Sequence, residues 1–447
     1  MKPTRLLIAC TLAAGLAFHA ASEEPGVVQL EGPTSVITQN PDGVIVCKAD
    51  IEQADHYDAK QAARQNNALG FDLYRELAKG VEHSDNLFFS PLSITAAMSL
   101  TYEGARGSTL DEFSQVLHVP EGQTRPMYHG SLGKLMDSLD GEDKPYDLSI
   151  ANSLWGEHSM PFSHAFLGTL NEHYDAGFTP ANFIGEPDAQ RQRINNWIAE
   201  NTNGRIKDLL PRPSITSMTR LVLANAIYFK GDWVYAFDKN ATRDRDFRIP
   251  PAPTEDAPIS KVQIPMMAMT GKMLRYADLD GLDMVEMPYK GGDLSMLILL
   301  PDDINGLPKL EAELSSDALA KWRSELKRER VSVAMPKWQA TLKYELIAPM
   351  QELGMEDAFS MSAADFSGMT DSAEGEGLFI TGIFHKAFIK VDETGSEAAA
   401  ATAVVVGTKS AVIDRAIPFV ADRPFVYMIV DNDSGAVLFL GRMADPS

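Results

Sequence analysis

Cysteine is nearly absent: the 447 residues contain two, Cys10 and Cys47. Cys10 falls in an apolar leader. If that leader is removed, Cys47 stands alone and no internal disulfide can form, so the fold must be held by core burial. Basic charge is also short. Forty Lys and Arg face 62 Asp and Glu, a formal charge of −22. That balance argues against binding a phosphate backbone or an anionic membrane surface. Beyond the leader, no window has the length and apolarity of a membrane helix. The chain also lacks a Gly-x-Ser-x-Gly elbow, a His-Glu-x-x-His pair, a phosphate loop and a Cys-x-x-Cys pair. The nine histidines are scattered, and His158 and His164 have no ligand-like neighbours in sequence. No metal site, cofactor or catalytic constellation is expected. There is no internal repeat and no low-complexity linker.

What is present begins with an export leader over residues 1–22. Lys2 and Arg5 precede an apolar run from Leu6 to Phe18, and the small residues Ala20-Ala21-Ser22 follow. Leu7-Ile8-Ala9-Cys10 also has the outline of a bacterial lipoprotein box, on a very short lead-in. The expected location is secreted or extracellular, or periplasmic or lipid-anchored if the chain is bacterial. Residues 23–58 lack a clear period and read as an extension or a short strand. Asn240-Ala-Thr and Asn432-Asp-Ser are glycosylation sequons where the secretory pathway allows.

From Ala59 the hydrophobic content of 45% suffices for a sizeable core. Apolar spacing predicts helices over 59–80, 108–117, 127–139, 164–173 and 188–201. Ser90 followed by Pro91 is a helix start, and that helix is apolar all round, which makes it central. Strands are predicted at 148–155, 220–230, 284–289, 294–300, 331–337, 382–392, 416–420, 424–430 and 436–442. Helices come mostly first and antiparallel strands later, so the class is α+β.

The stretch from Glu393 to Ser410 stands apart. It starts polar, runs through small residues and turns β-branched. It ends on one lysine. Helical spacing finds no apolar stripe in it. Period two does better: Ser396, Ala398, Ala400, Thr402, Val404 and Val406 are all small or apolar enough to lie against a core, while Glu397 falls on the other face. The segment reads both as a strand and as an exposed loop. Other charged features read as ordinary surface. Arg323, Lys327, Arg328 and Arg330 suit a solvated helix end.

Several stretches, in order, carry a family resemblance. They are Asn86-Leu-Phe-Phe-Ser-Pro-Leu-Ser, Ala151-Asn-Ser-Leu-Trp, Ile194-Asn-Asn-Trp-Ile-Ala-Glu-Asn-Thr-Asn-Gly-Arg-Ile and Leu223-Ala-Asn-Ala-Ile-Tyr-Phe-Lys-Gly-Asp-Trp. His385-Lys-Ala-Phe-Ile-Lys-Val-Asp-Glu-Thr-Gly-Ser-Glu-Ala-Ala-Ala and Asp422-Arg-Pro-Phe complete the set. The chain resembles a serpin, of the inhibitory type, over about 59–447. The resemblance implies an α+β fold of three β-sheets and eight or nine helices, with an exposed reactive-centre loop at about 393–415. It implies a suicide inhibitor of serine proteases, not an enzyme. A protease attacks the loop and forms an acyl-enzyme. The cleaved loop inserts into the large sheet and the ester is trapped. The implied hinge is Glu393, Gly395, Ser396, Glu397, Ala398, Ala399, Ala400, Ala401, Thr402 and Ala403. None of its inward residues is charged, which suits burial. Family spacing places the bait bond at Lys409-Ser410, with Arg415-Ala416 as the rival. Lysine implies a trypsin-like target. Ser90, Ser93, Asn225 and His385 match the family's shutter, Trp233 its breach, and Lys337 with Glu393 an ion pair at the top of the sheet. The expected partner is one trypsin-like serine protease, held covalently by a monomer, with no nucleic acid. No heparin-type site is evident, because His129, Lys134 and Lys144 make no basic stripe. The alternative is a non-inhibitory serpin serving as a substrate-like binding or chaperone module.

Overall fold

The computed structural model describes residues 56–141, 143–174, 178–251, 258–371, 377–396 and 416–447, with the backbone of three short strands before them. The leader at 1–22, with Cys10, lies outside the described residues. The short strands β1 (Val28–Gln29), β2 (Val36–Gln39) and β3 (Ile45–Cys47) form an antiparallel meander.

Helix α1 (Ala59–Lys79) is capped by Asp58, whose carboxylate accepts from the Lys60 amide at 2.8 Å. Strand β4 (Leu87–Phe89) leads into α2 (Pro91–Tyr102), where the Ser90 hydroxyl caps the Ser93 amide. All twelve residues of α2 are buried. The next helices are α3 (Gly107–Val116) and α4 (Arg125–Leu139), followed by β5 (Tyr146–Glu157), α5 (His164–Tyr174), β6 (Phe178–Ala181), α6 (Pro187–Asn201) and β7 (Leu221–Asp232). A run of strands follows: β8 (Arg243–Ile249), β9 (Ser260–Leu279), β10 (Leu282–Pro288) and β11 (Leu294–Pro301). Then come α7 (Leu307–Glu313), α8 (Ser316–Glu325), β12 (Lys327–Pro336), β13 (Trp338–Glu345) and α9 (Ile347–Glu352). The chain closes with β14 (Ile383–Val391), β15 (Gly395–Ser396), β16 (Ile417–Val420), β17 (Phe425–Asp431) and β18 (Val437–Met443).

Two main sheets result. One has nine strands, ordered β16-β12-β9-β10-β11-β17-β18-β4, with β8 on β9. The other has six, ordered β13-β14-β15-β7-β5-β6. Helix α2 lies between them, against β18 on one side and β5 and β7 on the other, which is why it carries no polar face. The α+β class and the nine helices among the described residues agree with expectation. Three sheets are described, two large ones and the short meander. Strand β9 pairs β8, β12 and β10 in turn and so holds the nine-stranded sheet together.

Within the six-stranded sheet, β14 and β7 run parallel, from Ile383 opposite Leu223 to Phe388 opposite Tyr228. This seam positions the site. Helix α6 and the chain after it cover its outer face, where Ile194, Ile198, Leu209 and Leu210 pack on Ala224, Phe384 and Phe388. Asn195 ties this cover down. It donates to the Leu210 carbonyl at 3.0 Å and accepts from the Leu210 amide at 2.8 Å.

Candidate functional site at the seam of the six-stranded sheet

The middle of the seam is polar although it is buried. Asn225 on β7 and His385 on β14 sit directly opposite each other. The His385 Nδ1–H donates to the Asn225 Oδ1, while its Nε2 accepts from the Ser90 amide at 3.1 Å. That pair of partners fixes the ring tautomer. Asn225 donates to the Ser93 carbonyl and hydroxyl, both at 2.6 Å, and to the Asn152 Oδ1. The Ser90 hydroxyl donates to the Leu438 carbonyl at 2.6 Å, tying α2 to the nine-stranded sheet. Burial pushes the His385 pKa down to about 3. The ring is therefore a neutral bridge across the seam at ordinary pH.

The upper end of the seam is already occupied. Past Val391 the chain turns at Asp392, whose carboxylate accepts from the Thr394 amide at 2.9 Å. It then re-enters between β14 and β7 as β15. Gly395 pairs with Asp232, and Ser396 pairs with Gly231 on one side and Val391 on the other. Position 395 has room only for glycine, since a Cβ there would lie 2.0 Å from the Gly231 carbonyl oxygen. Ser396 is fully buried, and its hydroxyl is 2.7 Å from that of Tyr289. The Tyr289 ring stacks on Trp233 with centroids 4.5 Å apart, and the Trp233 indole N–H donates to the Asp392 carbonyl at 3.1 Å. Glu393 closes the turn. Its carboxylate takes Lys337 at 2.8 Å and the Thr242 hydroxyl at 2.8 Å. Burial works to raise the Glu393 pKa, but the bonds from Lys337 and Thr242 outweigh it and hold the carboxyl below its ordinary range.

A family model, serpin (serine protease inhibitor), matches residues 64–446. The chain belongs to the serpin family. Its similarity to curated serpins runs across kingdoms. It is 36% identical to human serpin B3, over 85% of this chain and 98% of that one. It is also 36% identical to the leukocyte elastase inhibitor of Bos taurus, over 87% and 100%. A serpin-like protein of Methanosarcina acetivorans matches at 36% over 88% of this chain and 90% of its own length. Among solved serpin structures, uncleaved ovalbumin superposes with a TM-score of 0.76 at 30% identity, covering 86% of this chain and all of that one.

Of the serpin positions singled out from sequence, Ser90, Ser93, Asn225 and His385 are brought together at mid-seam, and Trp233, Lys337, Glu393, Gly395 and Ser396 at its upper end. Glu397, Ala398, Ala399, Ala400, Ala401, Thr402, Ala403, Lys409 and Ser410 lie outside the described residues. Two contributors went unread. Asn152 stood in a quoted stretch, and its buried polar side chain in an apolar strand was the available signal. Tyr289 had no signal, because its hydroxyl meets Ser396 only through the fold. The basic cluster divides: α8 ends at Glu325, while Lys327 to Arg330 are exposed on β12. Lys134 donates to the Tyr57 carbonyl, Lys144 pairs with Asp293 at 3.0 Å, and His129 is buried. Among the described residues, no cluster of His, Cys, Asp and Glu could hold a metal ion, and no helix is long and apolar enough to cross a membrane.

Proposed function

We propose that this serpin is a suicide inhibitor of trypsin-like serine proteases, exported through its leader and acting as a monomer without cofactor. It offers Lys409-Ser410 as bait and is consumed instead of turning over. The observation that carries the reading is the register of β15. Each residue onward along the loop steps one residue back along both β14 and β7. Continued from Ser396, that register sets Thr402 opposite Asn225 and His385, and Val404 opposite Leu223 and Ile383. One strand fits both neighbours at once because the seam is already aligned for it. The parallel pairs between β14 and β7 would part, and an antiparallel ladder would form on each side. The inward set, Ser396 to Val406 by twos, has no charge to bury. Thr402 would bring a hydroxyl to the level where the bond between Asn225 and His385 must open.

Mixing the protein with trypsin is expected to give an SDS-stable complex, with Lys409 as its acyl residue. Lys409→Ala should abolish it while Arg415→Ala leaves it intact; the reverse would move the bait bond to Arg415-Ala416. Clean cleavage at Lys409, with no complex and full residual trypsin activity, would instead favour the alternative, a non-inhibitory serpin acting as a binding or chaperone module.

A further inference from the structure

The seating of Ser396 depends on one hydroxyl. Tyr289 is fully buried, its ring held between Trp233 and the edge of Phe229 at 5.0 Å. Among the described residues, Ser396 is the sole hydrogen-bond partner of its hydroxyl. If Ser396 leaves the seam, a buried phenol loses its partner, so the pair favours the seated hinge. Seating has two consequences with opposite effects. Each residue held in β15 takes about 3.3 Å from the reach of the loop that a protease must draw into its cleft. The same residues form the first rung of the strand to be inserted, so less chain has to be ordered after the cut.

We propose that Tyr289 is a positioning residue that holds Ser396 in the sheet before attack, slowing the protease's first step and hastening the trapping that follows. This rests on the inhibitory reading above, but the rate of loop cleavage tests the seating even without a complex. With the full chain and trypsin, two quantities are measured: the rate constant for attack at Lys409, and the number of molecules cleaved per trypsin trapped. Tyr289→Phe is expected to raise the attack rate about three- to tenfold, the scale of one hydrogen bond. It should also raise the cleaved-to-trapped ratio. Ser396→Ala should do the same. Combining the two leaves no unpaired buried hydroxyl and should return both quantities toward the parent. A merely structural role would lower trapping without faster attack, or give additive effects in the double variant, and either result overturns the proposal. If the parent is cleaved without forming any complex, the inhibitory reading fails. Faster cleavage of Tyr289→Phe would still support the seating, and unchanged cleavage would refute it.

Discussion

At the scale of the residue, His385 carries an electrostatic consequence that falls within an accessible pH range. Its pKa stands near 3 in the folded chain because burial penalises the charged ring, against about 6.5 when exposed. Between those values the unfolded chain holds a proton that the folded one does not. Stability is therefore full above about pH 6.5 and falls as the pH drops toward 3, by at most about 1.4 kcal/mol per pH unit from this group. His129 and His173 are shifted the same way, chiefly by burial, and add to the slope. His385→Gln should flatten the dependence of the urea midpoint on pH between 6 and 4 relative to the parent. An unchanged slope would mean that the ring is charged in the folded chain. This residue also marks how far sequence reasoning reaches. His385 stands among apolar strand residues, and taken alone it reads as a bonded core histidine. Its partner lies 160 positions away, so only the family pattern could suggest the cluster before the fold was known.

At the scale of the element, the strands with an unbroken apolar run were legible. β7, β11, β17 and β18 fall within a residue or two of their expected bounds because burial on both faces leaves a continuous signal. β9 was not. Its twenty residues carry Pro265, and Gly271 at φ +57, and exposed positions interrupt its apolar ones, so neither period survives along its length. β15 was half legible. The alternation beginning at Ser396 marked a strand, but that Gly395 and Ser396 already lie within the sheet follows from Gly231 and Tyr289, far away in sequence. The glycine at 395 is the element's weak point. Gly395→Val would drive its side chain into the Gly231 carbonyl and the Asp232 backbone. The variant should fold, since β15 is two residues long, but it should lose the first rung of insertion. Trypsin should then cleave it as a substrate with little or no complex on an SDS gel. Undiminished complex formation would show that insertion does not start at this glycine.

At the scale of the whole molecule, the proposed inhibition would depend on the arrangement of strands rather than on any single contact. Intact, the sheet closes its seam with six parallel pairs between β14 and β7, and among the described residues the only antiparallel strand between them is two residues long. Parallel pairing is slightly weaker per residue than antiparallel. An inserted loop would replace those pairs by two antiparallel ladders and bury Val404 and Val406. On the order of ten added hydrogen bonds, at about 0.5–1.5 kcal/mol each, are comparable to the whole net stability of many domains. On the proposed reading the mid-seam polar groups would have to find new partners as the strands separate, and the Thr402 hydroxyl would be one brought to Asn225 and His385. The cut chain should therefore be the more stable one. Circular dichroism melts of protein nicked at Lys409-Ser410 should show unfolding roughly 10 °C or more above the intact chain. The nicked sample should also resist further trypsin digestion in the loop. Equal melting temperatures for nicked and intact protein would mean that the loop stays outside the sheet, and that a covalent complex, if one forms, is held by some means other than insertion.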